Sequence, residues 1–230
     1  MNNNFPYSKY NFNNQDLLSR LTTAECDRLT ANKEILNFKA GTQIFKEGTE
    51  PKGIYRVLSG KVKKYTATNF GTDHIFYICG ENEYLGYHAI LSEEEYPDSA
   101  TALLDCEVAF IPKNDFLNVV STSHVLSQRL LKNLSHEFGV FLNATKILAR
   151  YTVRERTAIN LLILQRKFSV KESLKEIEIN REDLASMVGT AKESLVRMLK
   201  DFKEEKLIST KGRIIFIEDL EGLVKASNYK

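Results

Sequence analysis

Cysteine is scarce and dispersed: Cys26, Cys79 and Cys106 stand far apart, and no CxxC pair occurs. Such spacing suggests neither a zinc site nor an iron–sulfur cluster, and it reads as three buried thiols. The four histidines are scattered, so no metal-ligand cluster is legible. Long apolar runs are missing as well. No stretch is long enough to span a bilayer, and the opening MNNNFPYSKYNFNN lacks the charged start and apolar run of a secretion signal. The expectation is a cytoplasmic protein with no membrane partner. There is no GxSxG, no P-loop and no HExxH, so a catalytic role has no residues to rest on and the chain reads as a non-enzyme. Charge of either sign is not in strong excess, with 32 basic against 30 acidic residues in 230. Residues 151–230 carry a net +3, from 16 basic and 13 acidic residues, and the remainder carries −1. That mild asymmetry gives weak support to a polyanionic partner.

What the chain does contain is organised around Asn180 to Leu207, NREDLASMVGTAKESLVRMLKDFKEEKL, which reads as two short helices joined at a sharp turn. Asn180 can cap the first helix, with Glu182 and Asp183 in its first turn, where negative charge is favourable. Ala185 is small where a second helix must cross, Gly189 supplies a positive-φ turn, and Leu184, Val188, Leu195 and Met198 are spaced to fill the wedge. Thr190 to Glu193 has the pattern of a capping box, which would aim Lys192, Glu193 and Ser194 outward at the start of a recognition helix. Taken alone, the segment equally suits a plain helical hairpin with a charged face. Its flank favours more: Leu207 to Thr210, the turn Lys211-Gly212 and Arg213 to Ile217 read as a β-hairpin with a basic tip, making a winged helix. Between Lys192 and Arg213 seven basic residues face four acidic ones, concentrating positive charge on this surface.

From the N-terminus, the Asn-rich residues 1–14 read as a loose tail, and Gln15 to Ala31 as two short helices, the second capped by Thr22 and Glu25. Seven short β-rich runs follow between Ile35 and Ile111, punctuated by Gly41, Gly48, Gly53, Gly60, Gly71 and Gly80. Many short strands with a glycine at nearly every change of direction imply a β-barrel or jelly roll. A short helix at Phe116–Val120 leads into a long one from about Ser123 to Arg150. Leu131, Leu134, Phe138, Phe141, Thr145 and Leu148 recur along it at spacings of three and four. That pattern lets two copies pair as a coiled coil, and it also suits a helix packed on the barrel; the dimer is the preferred reading. Val153–Arg166 is a further helix, joined to the helix-turn-helix through Phe168–Ile179. The fold class is α+β. Domains are expected at 1–122 for the barrel, 123–150 for the dimerisation helix and 151–230 for the winged helix.

This order of parts resembles the Crp/Fnr family of bacterial transcription regulators. The resemblance covers nearly the whole chain. It is carried most strongly by AGTQIFKEGTEPKGIYRVLSGKVKKY at 40–65 and INREDLASMVGTAKESLVRMLKDFKEEKLI at 179–208. It implies a cyclic-nucleotide-binding-like barrel, a homodimer, and sequence-specific binding to a pseudo-palindromic promoter site in double-stranded DNA, with RNA polymerase as a further partner. Lys192, Glu193 and Arg197 fall where family members place side chains against base edges. A guanidinium can bond guanine O6 and N7 bidentately, and a glutamate can accept from a cytosine amino group. Lys192 suits guanine or phosphate, Glu193 is also available as a capping acid, and Arg197 lies one turn further along. Ser194, Lys211 and Arg213 complete the expected DNA surface.

The sensor half departs from the family's cyclic-AMP pattern. The Gly-Glu and Arg-Ser pairs that hold ribose and cyclic phosphate are matched here by Gly86-Tyr87 and Asp98-Ser99, and the adenine-contacting Thr-Ser pair by Phe141-Leu142. An Asp in place of the arginine would repel an anion and remove the bidentate clamp. Cyclic AMP is therefore not expected. The cysteine-rich N-terminus of the oxygen-sensing branch is also missing, and scattered histidines argue against haem. Gly86, Tyr87, His88, Asp98, Ser99 and Phe141 mark the expected effector pocket, for a small organic molecule that these residues do not identify or for no ligand at all. The seam residues Leu131, Leu134, Phe138, Phe141 and Leu148 mark the expected dimer interface. The rival reading is a ligand- or haem-sensing module that signals through a protein partner.

Overall fold

Alternation of apolar and polar residues between turn glycines builds two four-stranded antiparallel sheets in the N-terminal half. The strands are β1 Glu34–Phe38, β2 Gln43–Phe45, β3 Gly53–Ser59, β4 Val62–Ala67, β5 Asp73–Cys79, β6 Tyr84–Leu85, β7 Ser99–Ala102 and β8 Cys106–Pro112. One sheet has the order β1-β8-β3-β6 and the other β2-β7-β4-β5, a jelly-roll arrangement in which neighbours are mostly distant in sequence. The structure is a computed structural model that describes residues 5–67, 73–168 and 176–229. Gly71 and the larger part of the expected connection at 168–179 lie outside the described residues.

Helix α1 (Thr23–Leu29) is closed by the expected capping box between Thr22 and Glu25. Residues 15–20 form turns where a helix was expected. Short helix α2 (Tyr87–Ser92) follows β6, and α3 (Lys113–Val120) leads into the 27-residue α4 (His124–Arg150). Leu126 and Leu130 of α4 join Ile54, Tyr87, Ile90, Ile111 and Phe116 in the core. The N-terminal segment is not a loose tail over its described part: Phe5, Tyr10 and Phe12 are buried, and Asn14 is fully enclosed. Aromatics explain the difference, since Phe12 stacks on Tyr77 with ring centroids 3.6 Å apart, a contact that the surrounding asparagines conceal.

The C-terminal elements are α5 (Val153–Phe168), β9 (Glu176–Glu178), α6 (Arg181–Val188), α7 (Lys192–Glu204), β10 (Ile208–Lys211), β11 (Ile214–Ile217) and α8 (Leu220–Ala226). Strands β10, β11 and β9 pair antiparallel in that order. Close contacts divide the chain into two compact units, one of residues 12–71 and 76–139, the other of residues 1–11, 72–75 and 140–230. Among the described residues no helix is long and apolar enough to cross a membrane.

Candidate nucleic-acid interface and sensor site

Asn180 caps α6 as expected, its side chain accepting from the Asp183 backbone N–H at 2.7 Å. Gly189 ends that helix at φ 68°, in the left-handed region where a Cβ is strained. Leu184, Ala185 and Val188 of α6 are buried with Leu195, Leu199 and Phe202 of α7, so the two helices form the wedge of a helix-turn-helix. Met198 is only half-buried. The deeper filling comes from Leu199 and Phe202, four and seven residues after Leu195 on the same face.

The expected capping box at Thr190 is not formed. The N-cap of α7 is Ala191, and no side chain caps it. Thr190 belongs to the preceding turn, its N–H donating to the Ala185 carbonyl at 3.1 Å, which shifts the helix start by one residue and releases Glu193 from any capping role. The first N–H groups of α7 therefore have no side-chain acceptor, the condition in which a helix N-terminus receives a phosphate.

Glu193, Val196, Arg197 and Lys200 are exposed along one face of α7. Lys192 is ion-paired with Glu182 of α6. That contact holds Lys192 above the ordinary lysine range and Glu182 below the ordinary carboxylate range. Ser194 is half-buried. At the wing, Lys211, Gly212 and Arg213 are exposed, and the tip is anchored by Arg181, whose guanidinium donates to the Gly212 carbonyl at 3.2 Å.

On α4 the exposed large apolar residues are Val125 (41%) near its start and then Leu131 (60%), Phe138 (66%), Phe141 (39%), Leu142 (56%) and Leu148 (37%). Leu134 does not face outward with them: it is half-buried against the protomer's own core. The exposed seam runs Leu131, Ser135, Phe138, Leu142, Thr145 and Ala149, at alternating spacings of four and three, which keeps the heptad rule but shifts one of its two positions by a residue. Phe141 and Leu148 flank that seam.

Inside the sensor unit, Gly86 at φ 89° starts α2 and directs Tyr87 inward. The Tyr87 hydroxyl donates to Glu137 of α4. Asn14 Nδ2 donates to Glu137 Oε1 at 3.1 Å and to the Tyr84 carbonyl at 2.9 Å. Across the same interior, Asp98 Oδ1 lies 3.2 Å from His88 Nε2, and Asp98 Oδ2 lies 3.3 Å from the Lys64 ammonium. Both ends of the Lys64–Asp98 pair are nearly fully buried. Oδ2 makes no well-oriented hydrogen bond, so this is a charge contact. Burial alone would pull Lys64 down and Asp98 up. Their mutual attraction prevails, leaving Lys64 above and Asp98 below their ordinary values. Burial, and then the Lys64 charge, hold His88 below the ordinary histidine value. Burial lifts Glu137.

Reading Asp98 as an uncompensated negative charge is thus corrected: Lys64 of β4 neutralises it. Ser99 is buried with its hydroxyl accepting from the Glu47 N–H at 3.0 Å. Phe141 is exposed on α4 and is not part of this buried set.

Family models match in two places, a cyclic nucleotide-binding domain over residues 35–123 and a Crp-like helix-turn-helix domain over residues 155–226. A fumarate and nitrate reduction regulatory protein from Yersinia pestis is 30% identical over 192 residues, covering 80% of this chain and 75% of the relative. The chain belongs to the Crp/Fnr family. It is a helix-turn-helix transcription regulator, and regulators of this family bind DNA and act as dimers. The Escherichia coli protein of the same name is 28% identical over 197 residues, covering 82% of this chain and 76% of the relative. The fold agrees with FixK2 from Bradyrhizobium japonicum, at TM-score 0.77 and 18% identity, covering 86% of this chain and 98% of that one. It agrees also with a Crp/Fnr regulator from Thermus thermophilus, at TM-score 0.71 and 23% identity, covering 85% and 99%.

For a Crp/Fnr regulator, sequence reasoning missed Asn14 and Glu137 in the sensor, the pairing of Lys64 with Asp98, and the outward placing of Leu142 and Val196. Lys64 carried a signal, since strict alternation along β4 turns Val62 and Lys64 to the same buried side. Asn14 and Glu137 carried none.

Proposed function

We propose that the chain acts as a homodimer joined through the exposed seam of α4 and reads a pseudo-palindromic promoter site with α7 and the wing, without cyclic AMP as effector. The observation that carries this reading is the outward face of α7, where Glu193 and Arg197 are exposed and form no ion pair among the described residues. Arg197 is thereby available for bidentate bonding to guanine, and Glu193 for a cytosine amino group. Lys211 and Arg213 at the wing tip supply phosphate contacts, and Lys192 supplies another once DNA competes with Glu182. Two-fold symmetry in the protein sets half-sites about one helical turn, ~34 Å, apart. Bound at a promoter, such a dimer has RNA polymerase as its further partner.

The buried charge pair supports the exclusion of cyclic AMP on a different ground from charge sign. A cyclic phosphate needs a cation, and Lys64 is already engaged by Asp98. Taking Lys64 for the ligand would strand a buried carboxylate, which costs about 3–5 kcal/mol. The effector, where one acts, is therefore a small molecule without that demand.

Selection of bound duplexes from a random pool tests the reading. The expected outcome is an enriched inverted repeat. Arg197→Ala then costs about 1–3 kcal/mol at one base position, while Lys211→Ala weakens every sequence alike and flattens the salt dependence. Equal losses for Arg197→Ala on selected and random DNA would remove its base-reading role.

A further inference from the structure

Val196 stands out on the surface of the DNA-binding half. Among the described residues after Arg150 it is the one large hydrophobic side chain left exposed, at 47%. It lies in the middle of α7 between Glu193 and Arg197, about 100° round the helix from buried Leu195 and outside the buried face formed by Leu195, Leu199 and Phe202. A β-branched residue is a poor choice for an exposed helix interior, because its χ1 freedom is lost against the preceding turn. Its neighbours on the surface are charged, so nothing in its own protomer covers it. A single exposed valine is ordinary on most helices. Here it shares the outward stripe Glu193, Val196, Arg197, Lys200, spaced i, i+3, i+4, i+7, which is the stripe assigned above to base reading.

We propose that Val196 is a specificity-determining residue that recognises the C5-methyl group of a thymine in the major groove. The inference deepens the proposed function and rests on it. The chemistry is specific: of the groups displayed in the major groove, only the thymine methyl is apolar, and an apolar side chain pressed against it excludes water from both. Val196 has no donor or acceptor, so it selects against the cytosine amino group, which would lose its water there. Val196 and Arg197 are adjacent on α7, so the thymine lies within one or two base pairs of the guanine bonded by Arg197. One contact at this position in each protomer places the thymine symmetrically in both half-sites.

The test replaces each thymine of the selected duplex in turn by deoxyuridine, which keeps the pairing and removes only the methyl group. For the wild-type protein one symmetric pair of positions is expected to lose about fourfold in affinity per half-site, the worth of one methyl group. Val196→Ala is expected to bind the thymine and uracil duplexes equally, and Val196→Ser to accept cytosine there. Circular dichroism confirms that the exposed substitutions leave the fold intact. No uracil-sensitive position near the Arg197-dependent base, or the same sensitivity in Val196→Ala, would overturn the assignment while leaving the base-reading role of α7 in place. Enrichment of no sequence at all by the wild-type protein would overturn both.

Discussion

Asp98→Ala is expected to be far more damaging than the loss of one side chain's packing. Lys64 and Asp98 are buried to 6% and 4% side-chain exposure with 3.3 Å between charges, so the variant leaves an enclosed ammonium without its ion-pair partner, beside the rings of Phe12 and Phe76. Removing one partner of a buried pair costs about 3–5 kcal/mol, whereas replacing both by apolar residues of similar volume is often close to neutral. Lys64→Met combined with Asp98→Leu should therefore recover most of the loss. With a urea dependence of about 2 kcal/mol per molar, the single variant lowers the midpoint of the sensor unit's unfolding by roughly 2 M, and the double variant by well under half of that. Tyrosine fluorescence reports the transition, since the sensor unit contains Tyr77, Tyr84, Tyr87 and Tyr96 in its core. A loss below about 1 kcal/mol for Asp98→Ala would refute the enclosed pair. A double variant as unstable as the single would show that charge pairing is not what the site depends on.

Phe138→Asp with Leu142→Asp places charge on the exposed seam of α4 and is expected to sediment as a folded monomer. Leu134→Asp, by contrast, strikes the sensor core and should impair folding itself. A dimer persisting in the Phe138/Leu142 variant would move the interface elsewhere. Burial raises Glu137 above the ordinary glutamate value of 4.5, so the folded state holds the proton more tightly than the unfolded chain. The stability this contributes is fully present below that value and is lost as pH rises through the folded one. Glu137→Gln keeps an acceptor for Tyr87 without that liability, so its stability relative to wild type should increase as pH rises above the ordinary glutamate value of 4.5, as followed by thermal melting. A difference independent of pH would mean that Glu137 does not titrate in this window. Gly189→Ala forces a Cβ into the left-handed region and to within 2.9 Å of Leu148, costing about 1–2 kcal/mol in a chemical melt. No change would show that the turn relaxes freely.

The helix-turn-helix was legible because several local rules agree there: a cap at Asn180, a positive-φ glycine at Gly189 and apolar spacing across the turn. Capping at Thr190 was misread because Thr190 is held in the turn that ends α6, its N–H donating to the Ala185 carbonyl, so α7 starts one residue later with Ala191 as its N-cap. Strand β9 is three residues long and, among the described residues, pairs with β11 alone, so no periodicity could develop within it. The dimer seam was half legible. Leu134 and Leu142 each stand four residues from Phe138, and only the way α4 lies on the core decides which one faces out. In the sensor, a family pattern drew notice to Asp98, while its partner Lys64 sits in a run of two lysines whose opposite orientations come from the strand's pleat. Polar networks that join distant segments, such as Asn14 to Glu137 across 123 positions, leave no local trace.

Titration of the selected duplex with purified protein, with and without millimolar cyclic AMP, tests the central claim most directly. The account predicts a dimer binding that duplex with a dissociation constant of about 10⁻⁸ M or tighter at physiological salt, at least ~10³-fold better than random DNA, and unchanged by the nucleotide. Binding that appears only when cyclic AMP is added, or equal affinity for selected and random DNA, would contradict it.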